Sequence, residues 1–232
     1  MTDLPVVVGV DGSEPSLRAV DWAADEAALH GAPLRLVYAS LWDRYEGALL
    51  AQELDKPVEE VMAQDVVGTA RERAARRRSD VQVTTDVRPE EPEYALVRES
   101  RAALAVVLGC RGRSGITEAL LGSVGVTVAG HAHCPVIVLR GSHDNQARTG
   151  TRGHIVLGVA EKPAGSSAVR FATEEAVLRG VPLEAVRVWR RPAHATTGHP
   201  LLAGEPAHLY ERQAVEALEE ALRDAPADLD VR

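Results

Sequence analysis

The strongest constraint on the fold is an internal repeat at a fixed offset. Residues 6–42 and 155–191 align without a gap at an offset of 149, and 13 of the 37 aligned pairs are identical. Self-similarity of this kind marks two copies of one structural unit. The sequence therefore predicts two related domains, at 1–141 and 154–232, joined by a polar linker at 142–153.

Each copy opens with a strand, a turn and a helix. In the first copy, Val6–Val10 is a run of valines around one glycine, which is typical of a buried parallel strand. Ser13 or Ser16 could cap the helix that follows, and Gly31 with Pro33 ends it.

The rest of the first copy alternates between strands and helices. The pattern predicts strands at Leu34–Ala39, Val81–Val87, Ala105–Leu108 and Val136–Leu139, and helices at Val58–Arg77, Glu93–Ala103 and Thr117–Gly130. Such alternation indicates an α/β fold with an open parallel sheet of five strands and helices on both faces.

The second copy contains fewer elements. Its last predicted helix, Ala207–Ala225, is followed by Asp228–Arg232, which resembles Thr85–Arg88 near the third strand of the first copy. It has no counterpart of the fourth and fifth strands, so we expect a second, incomplete α/β repeat.

A glycine-rich loop follows the fourth predicted strand. Gly109 and Gly112 could let backbone N–H groups approach phosphate oxygens, and Arg111 could supply positive charge. Gly122 and Ser123 lie near a predicted helix start, where unpaired N–H groups favour anions. By spacing alone the loop could equally be a simple turn.

Three segments should meet where the parallel strands end, since ligands of open α/β sheets bind there. They are Gly9–Ser13, Tyr38–Ser40 and Gly109–Gly112. Asp11 would be repelled by bare phosphates, so it could accept a hydrogen bond from a ribose hydroxyl or hold a Mg²⁺-bound water.

Three separated motifs resemble the universal stress protein family. They are VGVDGS at Val8–Ser13, the Gly-x₂-Gly-x₉-Gly-Ser loop, and HAHCPVIVLR at His131–Arg140. The resemblance covers about 1–141 and the first half of the second copy. It implies a sheet of strand order 3-2-1-4-5, and members with the full glycine motif bind ATP, often with Mg²⁺.

The resemblance also implies which residues hold the nucleotide. Asp11 matches the acidic residue after the first strand, and Ala39 matches the position whose backbone meets the adenine. The complete implied set is Gly9, Val10, Asp11, Ala39, Gly109, Arg111, Gly112, Gly122, Ser123 and Val124. Members of the family commonly dimerise through the last strand, here Val136–Leu139.

The second copy departs from that pattern. Ala160 stands where Asp11 stands in the first copy, and the glycine loop has no counterpart. We therefore expect one nucleotide site per chain, with the second copy as a degenerate partner in a homodimer or an intramolecular pseudo-dimer.

Charge and composition exclude several other classes of protein. The net charge of −8 disfavours nucleic acid as a partner, and the basic run Arg71–Arg78 is expected to be a solvated helix face. Apolar stretches fall short of the roughly 20 residues of a membrane helix. Asp3 stands where a signal peptide would be basic, so we expect a cytoplasmic protein with reduced Cys110 and Cys134.

No catalytic set can be assembled from the sequence. A histidine is missing from the segments around Asp11 and Ser13, and we expect no metal at His131, His133 and Cys134. The leading hypothesis is an ATP-binding stress-response regulator whose state an unidentified protein partner reads. The alternatives are a slow Mg²⁺-dependent ATPase or phosphotransferase, and a dimerising scaffold that binds no nucleotide.

Overall fold

The structure is a computed structural model that describes residues 3–41, 58–110, 122–140, 153–160, 167–189 and 207–232. The chain forms two compact units, named here unit 1 (Met1–Ala147) and unit 2 (Arg148–Arg232).

Unit 1 is an open parallel sheet with helices on both faces. Its strands are β1 (Val6–Gly9), β2 (Leu34–Ala39), β3 (Val83–Arg88), β4 (Ala105–Gly109) and β5 (Val136–Leu139). Its helices are α1 (Glu14–His30), α2 (Val58–Arg77), α3 (Pro92–Glu99) and α4 (Ser123–His131). The strand order is β3-β2-β1-β4-β5, which confirms the α/β fold and the order that the resemblance implied.

The central strand β1 explains why the sheet is buried on both faces. It pairs in parallel with β2 on one side and with β4 on the other. Val6, Val7 and Val8 are fully buried, with Val6 and Val8 in one apolar cluster and Val7 in another. Because β-branched side chains fill both faces, the strand has no polar side.

The first helix is bounded as the sequence predicts. Ser13 is the N-cap residue of α1, and its side chain accepts a hydrogen bond from the backbone N–H of Ser16. Gly31 follows the helix in the left-handed region, with φ of 60°, which ends the helix at little steric cost.

Three helix ends differ from the sequence prediction by more than one residue, and one of them is the end of the last helix, which lies at Ala221 rather than at Ala225. The helix α3 ends at Glu99 and continues as a 3₁₀ turn, Ser100–Ala102, rather than as α-helix to Ala103. The helix α4 cannot run unbroken from Thr117, because Gly122 is extended, with φ of −63° and ψ of 163°, and is the N-cap of a helix that begins at Ser123.

The basic run is more than a solvated face, which corrects the expectation for Arg71–Arg78. Arg73 lies 2.6 Å from a carboxylate oxygen of Asp21 in α1, and Arg77 lies 2.6 Å from one of Asp25. The hydrogen bonds to Asp21 raise the pKa of Arg73 above its ordinary value. These two arginines, one helical turn apart, join α2 to α1.

Unit 2 repeats the first half of this order. Its elements are β6 (Ile155–Gly158), α5 (Ser167–Arg179), β7 (Leu183–Val186) and α6 (Ala207–Ala221), and β6 pairs with β7 in parallel. Val231 forms a parallel bridge to Leu183, so the segment predicted to resemble the third strand lies beside β7 as β3 lies beside β2. The apolar core of unit 2 includes Leu157, Ala176 and Leu183.

None of the helices in the described part of the chain is both long enough and apolar enough to span a membrane.

Candidate functional site

A cleft of about 300 Å³ opens in unit 1 where β1, β2 and β4 end. The described members of the predicted nucleotide-binding set all line it: Gly9, Val10, Asp11, Ala39, Gly109, Gly122, Ser123 and Val124. Arg111 and Gly112 lie outside the described residues. The sheet therefore brings together residues that are more than 110 positions apart in the sequence, as expected for the carboxyl edge of parallel strands.

Apolar side chains form one part of the cleft wall. Val10, Val37 and Leu108 are each at most 5% exposed, and Leu96 of α3 is 3% exposed. Ala39, at the end of β2, is half-buried. A wall of this kind suits a flat, weakly polar ring, because its apolar side chains offer no hydrogen bond or opposite charge to a charged group.

Asp11 is the one charged side chain among the described lining residues, and a tight turn holds it in place. Its Oδ1 atom accepts hydrogen bonds from the backbone N–H of Ser13 at 2.9 Å and from the Ser13 hydroxyl at 2.6 Å. Gly12, between them, has φ of +79°, a conformation that few residues other than glycine adopt. The carboxylate is therefore fixed at the cleft with its second oxygen directed to no partner in the described residues.

The two serines of this turn also line the cleft. The sequence placed Ser13 in a segment expected at the strand ends, but it suggested Ser16 only as a helix cap. The Ser16 hydroxyl donates to the Ser13 carbonyl oxygen at 2.8 Å, and Ser16 is 5% exposed. The Ser13 hydroxyl donates to Asp11 and accepts from the Ser16 N–H at 3.4 Å. One short segment thus caps α1 and positions the carboxylate.

The N-terminus of α4 gives the cleft its capacity for an anion. Its N-cap, Gly122, supplies no side-chain cap, and Ser123 and Val124 follow in the first turn. The first N–H groups of a helix lack partners within the helix, and the helix dipole adds partial positive charge there. The N-terminal residue of α3, Pro92, lines the same cleft, and Glu91 before it makes no side-chain cap bond.

The structure explains the glycine at position 109 by packing within the protein, whereas the sequence suggested close approach of a phosphate group. A Cβ atom at this position would lie 2.5 Å from both the carbonyl carbon and oxygen of Pro15. The next residue, Cys110, donates its N–H to the carbonyl oxygen of Leu139 at 2.8 Å. Glycine is therefore required here so that β4 can pass the first turn of α1, whether or not a ligand is present.

Sequence reasoning missed several lining residues: Ser16, Val37, Pro92, Leu96, Leu108 and Gly125. Val37 stands two residues before the end of its predicted strand and Leu108 is the last residue of its own, so the rule that ligands bind at strand ends could have indicated them. Pro92 and Leu96 belong to a helix that only the tertiary structure brings over the strand ends.

The histidines and the cysteine at the end of α4 and just after it, His131, His133 and Cys134, make structural contacts. The His131 Nδ1 atom lies 2.9 Å from the Thr127 carbonyl oxygen, and the His133 N–H donates to the Ser100 hydroxyl at 2.9 Å. Cys134 is half-buried, and burial raises the pKa of its thiol. Both cysteines are free thiols, as expected.

The equivalent position in unit 2 lacks this chemistry. Ala160 follows β6 where Asp11 follows β1, and the described residues of unit 2 contain no counterpart of β4 or α4. The turn that carries Asp11 and Ser13 in unit 1 corresponds to residues 160–162, of which only Ala160 is described.

Known proteins with a similar sequence identify the family of this chain. The sequence model of the Universal stress protein family matches residues 4–140. A universal stress protein of Mycolicibacterium smegmatis is 34% identical over 196 residues, which are 81% of this chain and 65% of that protein. The chain thus spans about two thirds of the length of this curated relative.

Two solved structures share the fold. A universal stress protein from Archaeoglobus fulgidus aligns over 100% of this chain and 77% of its own, with a TM-score of 0.63 and 14% identity. UspA from Lactobacillus plantarum covers 60% of this chain and 99% of its own, with a TM-score of 0.51 and 24% identity.

Proposed function

The chain belongs to the universal stress protein family, and from that premise we propose that unit 1 binds ATP and acts as a nucleotide-dependent stress-response regulator. One observation carries the proposal: an apolar wall, a fixed carboxylate and an uncapped helix N-terminus all face one cleft. A nucleotide has three matching parts, a flat base, a sugar with hydroxyl donors and an anionic phosphate chain.

The proposed roles follow from this division. Val10, Val37 and Ala39 would contact the base, and the carboxylate of Asp11 would accept a hydrogen bond from a ribose hydroxyl. Gly122, Ser123 and Val124 would hold phosphate oxygens at the start of α4. Arg111 and Gly112 belong to the same glycine motif and would complete the phosphate site.

The cleft supports binding more strongly than it supports catalysis. Asp11 is the only described lining residue that could act as a base, and Ser13 engages one of its oxygens through two hydrogen bonds. A carboxylate held in this way is better suited to orient a sugar or a Mg²⁺-bound water than to accept a proton rapidly. Slow Mg²⁺-dependent hydrolysis is the alternative that the experiment below separates from binding.

The regulatory part of the proposal requires two states that ATP binds with different affinity, since a ligand shifts an equilibrium only by its differential affinity. The proposed domains are 1–141 for binding and 154–232 for the degenerate repeat, with 142–153 as the linker. A homodimer or an intramolecular pseudo-dimer in the cytoplasm would present the ATP-dependent state to a protein partner.

Calorimetric titration of ATP, with and without Mg²⁺, tests the binding step. We expect about one site per chain in the wild type and loss of binding in Gly122→Val. A Cβ at Gly122 has open space around it, so the substitution fills the cleft without a clash in the protein.

The matched control is Gly130→Val, which changes the same residue type in the same helix at a position that is also open and lies away from the cleft. It should bind ATP as the wild type does. Wild-type protein that binds no ATP would refute the proposal and favour the scaffold alternative. Phosphate release that Asp11→Ala abolishes would identify a slow ATPase.

A further inference from the structure

One face of the unit 2 sheet, together with the outer edge of β6, is uncovered in the described residues. Val156, Val186 and Val188 are 57%, 38% and 86% exposed. At the offset of the repeat, Val156 and Val186 correspond to Val7 and Val37 of unit 1. Val7 and Val37 are only 0% and 2% exposed. We name this surface, formed by Val156, Gly158, Glu184, Val186 and Val188, the open face.

The surroundings of two corresponding glycines, Gly9 in unit 1 and Gly158 in unit 2, show which segment covers this face in unit 1. A Cβ on Gly9 of β1 would lie 2.9 Å from a methyl group of Leu108 in β4 and 3.0 Å from one of Leu96 in α3. A Cβ on Gly158, its counterpart in β6, would meet no atom within 4 Å. The segment α3–β4 therefore covers this face in unit 1, and nothing equivalent covers it among the described residues of unit 2.

The strand pairing of β6 also differs from that of β1. β1 pairs on both sides, with Val6 opposite Leu34 of β2 and opposite Ala105 of β4. Within the described part of the chain, β6 pairs with β7 alone. A strand edge beside an apolar face can accept a further strand through main-chain hydrogen bonds.

Charge distinguishes the segment that would fit here from α3–β4 itself. In unit 1, Arg35 donates to Glu99 of α3 at 2.9 Å. The residue of unit 2 at the position of Arg35 is Glu184, whose carboxylate lies 3.0 Å from His154 Nε2. A carboxylate at the position of Glu99 would meet Glu184 as a like charge, whereas a cation would be attracted.

We propose that the open face and the β6 edge bind a polypeptide helix–strand segment built like α3–β4, with a cationic residue at the position that corresponds to Glu99. Its strand would add to β6 in parallel, and its helix would cover Val156, Val186 and Val188. This interaction is separate from ATP binding, because no residue of the open face lines the unit 1 cleft.

The probe is a fluorescently labelled peptide with the sequence of Pro92–Gly109 and the change Glu99→Arg, titrated into the full chain by fluorescence anisotropy. We expect saturable binding. The peptide that keeps Glu99 should bind about fivefold more weakly, the size expected for a partly exposed ion pair of about 1 kcal/mol. A peptide with Val107→Pro should not bind, because proline removes a strand N–H.

Variants of the full chain identify the surface. Val156→Lys should abolish binding, whereas Val215→Lys, which places the same charge at a valine of α6 that is 48% exposed, should not change it. Glu184→Lys should reverse the preference, so that the Glu99 peptide binds more tightly than the Arg peptide.

Two results would overturn the proposal. One is the absence of saturable peptide binding by the wild-type chain. This includes the case in which a second copy of the chain already covers the open face, which sedimentation would reveal if Val156→Lys dissociates the self-associated chain. The other is binding that Val156→Lys leaves unchanged, which would place the peptide elsewhere, for example in exchange with α3–β4 of unit 1.

Discussion

A Cβ atom added to Gly109 would lie 2.5 Å from the main chain of Pro15. The end of β4 thus touches the first turn of α1, beside the cleft. This contact separates the glycines of one motif into two kinds. Gly109 is required by the packing of unit 1, whereas Gly122 stands in open space at the start of α4.

We predict that Gly109→Ala and Gly122→Ala affect different properties. Gly109→Ala forces backbone segments apart and should lower the free energy of unfolding by about 1–3 kcal/mol, the range for overpacking a tight site. Gly122→Ala should cost less than about 1 kcal/mol, the difference between glycine and alanine at an N-cap. Urea unfolding of both variants checks this, and equal losses would contradict the distinction.

Ser13 is predicted to contribute both to stability and to the site. Ser13→Ala removes the N-cap bond of α1 and the hydroxyl that donates to Asp11, so it should cost about 1 kcal/mol of unfolding free energy and weaken ATP binding. Ser13→Thr keeps the hydroxyl and should retain most of both. Denaturant unfolding and ATP titration measure the two effects, and an alanine variant with unchanged stability would exclude the capping role.

The arginines of α2 are predicted to differ sharply in importance. Arg77→Met would leave the carboxylate of Asp25, whose side chain is 4% exposed, without its guanidinium partner. Breaking such a buried pair costs about 3 kcal/mol or more.

Arg76→Met is the matched control for this prediction. Arg76 pairs with Glu72 on the surface, with both side chains more than two thirds exposed, so its loss should cost less than about 0.5 kcal/mol. Similar thermal midpoints for the two variants would show that the basic run is a uniform solvated face after all.

The pH dependence of thiol alkylation tests the burial of Cys134. Because burial raises the pKa of this thiol, less of it is thiolate at a given pH than in the unfolded chain. The rate of its alkylation by iodoacetamide, followed by mass spectrometry, should reach half its maximum at a higher pH in the native protein than in 6 M guanidinium. A native profile shifted to lower pH would contradict the assigned environment.

Local patterns in the sequence predicted much of the fold. The sequence bounds of α2 and β5 match the structure, as do the N-cap Ser13 and the terminating Gly31. Strand–helix alternation indicated the parallel sheet, and the rule that ligands bind at strand ends indicated the segments that meet at the cleft. These features depend on neighbouring residues or on fixed periodicity, so a sequence contains them directly.

The sequence by itself thus determined the order of the elements, the parallel sheet and the repeat. The tertiary structure decided which residues meet across long separations: Gly109 with Pro15, Arg77 with Asp25, and Leu96 with the end of β1. It also showed that Val156, which occupies the position of the buried Val7, is exposed. Identical residues in two copies have the same local preferences, but their burial depends on what packs against them, and that is settled only when distant segments come together.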